Sequence, residues 1–244
     1  MRGARSTRRI GIGMLAALLV GIVAIGEVGR ASAAPSVVPD SVAARSDERL
    51  EYHWRVQGFF GALAGLFFPA EGEGSLSRRW LESGNFESEL LITSDADDRP
   101  DFFRYGAEID GRSGATVRAW SSQLWRGKRK DKLLPLVPAG AVDTASAIDL
   151  MRRERPRASR RMEIWSDGHL YPVLVQLLGS KQILVDRRRI EAAHIAVRPL
   201  VEPQRRIWKG ELDLWLAEDA ASTPVEILVS RSPARVLLSL KRYP

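Results

Sequence analysis

The sequence predicts an all-β fold: a curved antiparallel sheet or partly closed barrel of about a dozen strands with one short helix. Three observations carry that expectation. Apolar side chains recur at every second residue in short stretches, turn-forming residues separate those stretches at hairpin spacing, and clear helical spacing occurs once. No fixed-period repeat is visible, so a propeller or solenoid is disfavoured.

The first strand candidate opens at Arg49, where Leu50, Tyr52, Trp54 and Val56 share one face and Glu51, His53 and Arg55 the other. Residues 59–68 follow as a continuous apolar run containing Gly61 and Gly65, either a strand buried on both faces or a closely packed turn region. Further strands are expected at 76–81, 86–93, 102–109 and 115–125, parted by turn residues at 83–85, 95–100 and 110–114. After the prolines at 135 and 138, Asp143 can cap a helix that brings Ala147, Ile148 and Met151 to one side. Pro156 disfavours helical geometry at Arg155 and should end it. Strands then resume at 160–165, 170–178, 182–187, 190–199, 207–216, 224–230 and 235–243. Asp167-Gly168 supplies a tight hairpin between the first two.

Ahead of this domain stands an address. Arg2, Arg5, Arg8 and Arg9 precede an uncharged apolar stretch at 10–25, and Ala31-Ser32-Ala33 follows it. A basic segment, a short apolar core and small residues at a cleavage position make up a signal peptide. The stretch is 16 residues long, short of the roughly 20 that a bilayer span requires. Export with cleavage after Ala33 is therefore expected, to the periplasm or beyond. An uncleaved anchor would also place the domain outside the cytoplasm, and Arg8-Arg9 is only a partial twin-arginine pattern. The expected organisation is a signal peptide at 1–33, a flexible lead-in at 34–47 with two prolines, and a single β-rich domain at 48–244.

The 244 residues carry 37 Lys and Arg against 30 Asp and Glu, a formal charge of +7. Residues 1–33 hold five of the arginines and one glutamate, so the mature chain carries only +3. The chain has no cysteine, which removes disulfides, thiolate nucleophiles, cysteine-ligated zinc, iron–sulfur clusters and a lipoprotein anchor.

The opening strand at 48–56 with Gly58, Gly61 and Gly65, the segment 143–152, and Asp167-Gly168 with Tyr171 resemble the exported bacterial proteins grouped as the domain of unknown function 3108 family. So do Gly210 to Trp215, Glu218-Asp219, Pro224-Val225 and the stretch 236–240. The closing stretch is the most specific part, and the middle third matches weakly. The apolar run at 59–68 and the arginine-dense helix exit depart from the family's pattern. The resemblance implies an exported β-rich domain and supplies no catalytic residues.

Motifs for chemistry are sparse. His53, His169 and His194 lie apart, without the helical spacing of a metal site, and are expected as ordinary surface or partly buried histidines. No nucleophile elbow, Walker loop or dinucleotide fingerprint appears in the mature chain. Asp95, Asp97, Asp98 and Asp101 suit a solvated turn better than a calcium loop, because a central glycine and a terminal glutamate are missing. Glu218-Asp219 reads as a turn. No cofactor, metal ligand or catalytic residue is assigned.

Basic clusters stand at 126–132, 152–161 and 187–189; they read as solvated faces or, where arginine forks gather, as anion sites. The candidate ligand-binding residues are the aromatic face of the first and closing strands, Tyr52, Trp54 and Trp215. Arg152 and Arg153 join them if the helix packs over the sheet opening. The expected function is non-enzymatic: a binding or scaffold module for an apolar or anionic envelope component such as a lipid or glycolipid, or for a protein partner, with peripheral membrane contact and without nucleic acid. An envelope hydrolase using scattered carboxylates, or a purely structural interaction domain, are the alternatives. A cavity with two carboxylates of raised pKa would mark the enzyme, and an apolar groove with a basic rim the binder.

Overall fold

A computed structural model describes residues 46–57, 70–94, 101–125, 127–166, 168–231 and 234–244. The expected signal peptide, nearly all of the lead-in, the apolar run at 59–68, Asp167 and the turn from Asp95 to Pro100 lie outside the described residues. Among the described residues thirteen strands form one sheet. They are β1 (Glu48–Gln57), β2 (Glu71–Trp80), β3 (Phe86–Ser94), β4 (Phe102–Ile109), β5 (Thr116–Trp125), β6 (Lys128–Leu134) and β7 (Ala141–Val142). After the helix α1 (Thr144–Arg153) come β8 (Arg160–Ser166), β9 (His169–Val185), β10 (Arg188–Pro199), β11 (Glu211–Ala217), β12 (Pro224–Arg231) and β13 (Ala234–Leu240).

The order across the sheet is β6-β5-β4-β3-β2-β1-β13-β12-β11-β10-β9-β8-β7. Every neighbouring pair is antiparallel except β7 with β8, as hairpin-connected strands require. The last strand, β13, thus zips against the first, with Trp54 opposite Leu238 and Tyr52 opposite Leu240. The sheet is not closed by hydrogen bonds, since β6 and β7 are its two ends. It nevertheless curls until those ends approach. Phe86, Ala107, Ile109 and Ala119 of β3 to β5 share a buried cluster with Val137, Ala141 and Trp165, and the Val137 amide donates to the Val117 carbonyl (3.3 Å).

Helix α1 fills the space this curl encloses and packs against β3, β4, β7 and β8. Its start is fixed by the expected cap. Asp143 accepts from the amides of Ser146 (2.8 Å) and Ala145 (3.2 Å), while the Ser146 hydroxyl accepts from the Asp143 amide (3.0 Å), satisfying orphan donors of the first turn. Arg152 and Arg153 in its last turn complement the negative end of the helix. Seven of its ten residues are buried, Ala145 to Asp149 with Met151 and Arg152, so it is interior on nearly every side. Ile148 and Met151 join Tyr52, Trp54 and the inward leucines of β11 and β13 in one core.

Two expectations are corrected. The stretches 170–178 and 182–187, read as separate strands, form one 17-residue strand, β9. A bulge absorbs the irregularity: Ile195 faces Leu177 and His194 faces Gly179, which leaves Leu178 extra and Gly179 at φ +130, open to glycine and poorly suited to other residues. The gap left between the two stretches at 179–181 begins at that bulge. The basic run at 128–132, read only as a charge cluster, is the edge strand β6, and exposed lysines suit an edge because they resist further strand pairing.

Candidate functional site

The three candidate aromatic residues do not share a face. Following the register, Trp54 lies in a row with Leu238, Ile227, Leu214 and Ile195, all inward and buried. Trp215 lies in the next row, with His53, Ser239, Glu226 and His194, on the opposite side of the sheet. Alternation within one strand is legible in a sequence, but the offset between strands separated by loops is not.

Tyr52 and Trp54 are core residues. The Tyr52 hydroxyl donates to the Pro224 carbonyl (2.8 Å), and complete burial pushes its pKa far up despite the opposing effect of Arg152. The Trp54 indole donates to the Thr93 carbonyl (2.7 Å) across Gly72, where a Cβ would sit 2.4 Å from that oxygen and 2.9 Å from the indole nitrogen. The helix does pack over the opening, and Arg152 comes near Tyr52, but its guanidinium is engaged. It forms a two-pronged pair with Glu48 (2.7 Å each) and donates to the Ala221 carbonyl (3.3 Å). Arg153 pairs with Asp149 (2.9 Å), which also accepts from Arg78 Nε (3.0 Å). These charges pin the helix. Among the described residues Tyr52 and Trp54 are buried in one core cluster with Ile148 and Met151.

A pocket among the described residues lies on β4 to β6. Tyr105, Ser121 and Lys132 form one cross-strand row and Phe103, Gln123 and Lys130 the next, and Tyr105, Ser121, Ser122, Gln123, Lys130 and Lys132 line a shallow pocket. The pocket is basic because of alternation. Asp131, the acid of β6, pairs with Arg129 (2.9 Å) and accepts from Ser122 (2.5 Å), which holds its carboxyl below the ordinary range, first through Ser122 and then through Arg129. The Phe103 and Trp125 rings lie 6.0 Å apart beside it. The sequence flags the lysines; their partners on β4 and β5 emerge only from register.

A second constellation lies on the outer face of β10 and β11. Asp213, almost fully buried, accepts from Arg198 (2.6 Å) and is 2.7 Å from His194 Nε2. The imidazole stacks on Trp215 (4.6 Å), and Lys181 sits over the same indole (4.0 Å) while pairing with Glu226 (3.1 Å). Trp215 Nε1 is buried without a hydrogen-bond partner among the described residues. Asp213 thus offsets Arg198 and orients His194, and the indole is sandwiched between ring and ammonium. Its sequence signal is weak: His194 and Arg198 are four apart on one strand, and Asp213 and Trp215 two apart on the next. Glu218-Asp219 lies in the β11–β12 turn, as read. Among the described residues no group of three His, Asp or Glu side chains gathers as for a metal ion. Among them, also, no helix is long and apolar enough to cross a membrane.

No family model matches the chain, and no curated protein matches it. Among solved structures, the chain is similar to a β-barrel-like protein of domain of unknown function DUF1849 from Brucella abortus. The identity is 8%, the likeness covers 80% of this chain and 95% of that one, and the TM-score is 0.49. The likeness is to a β-rich protein of unknown function and does not single out the 3108 family.

Proposed function

We propose that the protein is an exported envelope module related to the domain of unknown function 3108 family, and that it binds an anionic envelope component without catalysing its conversion. One observation carries this reading: the inner face of β4 to β6 presents Lys130 and Lys132 beside Tyr105, Ser121 and Gln123. Ammonium groups and hydroxyls suit the phosphate or carboxylate of a lipid or glycolipid headgroup, and Phe103 and Trp125 offer apolar contact at its side. A headgroup on this surface, with the acyl chains outside, agrees with the burial of Tyr52 and Trp54 in the core.

The test is native mass spectrometry of the mature protein from its own envelope, with organic extraction of what accompanies it. A stoichiometric anionic lipid or glycolipid, lost in Lys130→Glu/Lys132→Glu, is the expected result. An empty wild-type protein, or equal occupancy in the variant, would overturn the reading.

A further inference from the structure

The hairpin of β9 and β10 runs past the sheet that bears it. Pairing of β9 with β8 reaches only Val175, and pairing of β10 with β11 begins only at Ala192. Beyond that point Gln182–Val185 and Arg188–Glu191 form a short two-stranded ribbon paired within the sheet only with itself, and residues 176–181 of β9 pair on one side only, with β10. An isolated ribbon of this kind is marginal in water. This one is steadied on one face, where Ile183 and Val185 enter the core cluster and Ile190 packs against it.

Its other face is different in kind. Leu177, Leu178 and Leu184 are 45%, 54% and 70% exposed. Leu184, nearest the tip, stands directly opposite Arg189. The turn that follows, Asp186-Arg187, holds both residues at positive φ (47° and 64°), the left-handed pair that a two-residue hairpin needs. Arg187, Arg188 and Arg189 are exposed, and no described carboxylate pairs with any of them. Asp186 and Glu191 are the acids of the ribbon, so its tip is cationic on balance.

An exposed leucine with Arg189 directly opposite it, and Arg187 and Arg188 at the adjoining tip, fits a water–bilayer boundary. The leucine enters the acyl region, while the guanidinium forks reach back to phosphates. The strand register also places the entry into β1, at Glu48, at the same end of the sheet as this tip. We infer that the β9–β10 hairpin is a membrane-docking element that seats Leu184 and Arg187 to Arg189 on an anionic phospholipid surface. The inference takes its membrane from the envelope assignment above but is independent of the lysine pocket.

The experiment is flotation of the mature protein with vesicles of phosphatidylcholine alone and of phosphatidylcholine mixed with phosphatidylglycerol. Binding is expected only to the mixed vesicles and should weaken with salt. Arg187→Asn/Arg188→Gln/Arg189→Gln, with asparagine chosen because it accepts positive φ, should lower partitioning by roughly fivefold per charge removed. Thermal melting should be unchanged, because these side chains are solvent-exposed. In Leu184→Trp, a brominated lipid should quench fluorescence that it leaves untouched in the wild type. Equal binding to neutral vesicles, full binding by the arginine variant, or an unquenched Leu184→Trp would each overturn the inference. Loss of binding in Lys130→Glu/Lys132→Glu, with the arginine variant still bound, would assign the membrane contact to the pocket and sink the hairpin alone.

Discussion

At the residue scale, two carboxylates show how local partners set opposite responses to pH. Burial pushes the Asp143 carboxyl up, and the hydrogen bonds from Ser146 and Ala145 do not reverse it. A group whose folded pKa is raised stabilises the fold below its unfolded value and loses that contribution as pH rises through the folded one. Asp143→Asn keeps an accepting oxygen for the cap, so its melting temperature relative to wild type should increase between pH 4 and pH 7. Asp143→Ala should cost about 1–2 kcal/mol at acid pH, the loss of an N-cap, and less as pH rises and the buried carboxyl loses its proton. Asp219 behaves in the opposite way. Burial tends to raise it, but hydrogen bonds from Tyr243 (2.6 Å) and Thr223 (2.8 Å) prevail and hold it below the ordinary range. The same contact, after burial, pushes the Tyr243 hydroxyl up to about 12. The stability Asp219 contributes is complete above the unfolded carboxylate pKa, about 3.9, and is lost as pH falls through the folded value. Asp219→Asn should flatten the acid limb of a melting-temperature profile, and an unchanged limb would refute the assignment.

At the element scale, α1 is held by charge as much as by packing. Arg152 and Glu48 join the helix to β1, and Asp149 joins it to Arg78 on β2. Removing one member of such a pair leaves an uncompensated charge in a largely dry site. Glu48→Ala should therefore destabilise the protein by about 3 kcal/mol in denaturant titration, while Glu48→Leu/Arg152→Met should recover much of that loss. Ile148→Ala, in the fully buried turn of the helix, should cost about 2–5 kcal/mol by opening a cavity. The helix itself was legible in the sequence, through Asp143, the spacing of Ala147, Ile148 and Met151, and Pro156. Its interior position was not: Arg152 and Asp149 look like solvent-facing charges until Glu48 and Arg78, each at least 70 positions away, are brought alongside.

At the scale of the whole molecule, the curled sheet separates its possible contact surfaces. Among the described residues, inward side chains at one end pack with α1 and the Trp165 cluster, and those of β4 to β6 line the lysine pocket. The hairpin of β9 and β10 projects by itself. If Lys130 and Lys132 attract an anionic headgroup, affinity should fall with ionic strength, because exposed charges are screened within roughly 8 Å at physiological salt. Binding to the extracted component that is insensitive to salt would argue for apolar contact alone.

The sequence by itself determined the all-β class, most strand positions, the capped helix and the absence of cysteine chemistry. The last is read from composition, and the others rest on nearest neighbours: alternation, turn residues, a cap and its proline stop. Tertiary structure decided which faces meet. Tyr52 and Trp54 point inward while Trp215 points outward, because the register through β13, β12 and β11 sets their rows. Two apparent strands become the single β9, because a one-residue bulge at Gly179 lets pairing with β10 continue. The basic run becomes the edge β6, because β7 pairs with β8 and leaves β6 with β5 alone. Such offsets are settled by hydrogen bonding and side-chain packing between segments far apart in the chain, and no local pattern encodes them.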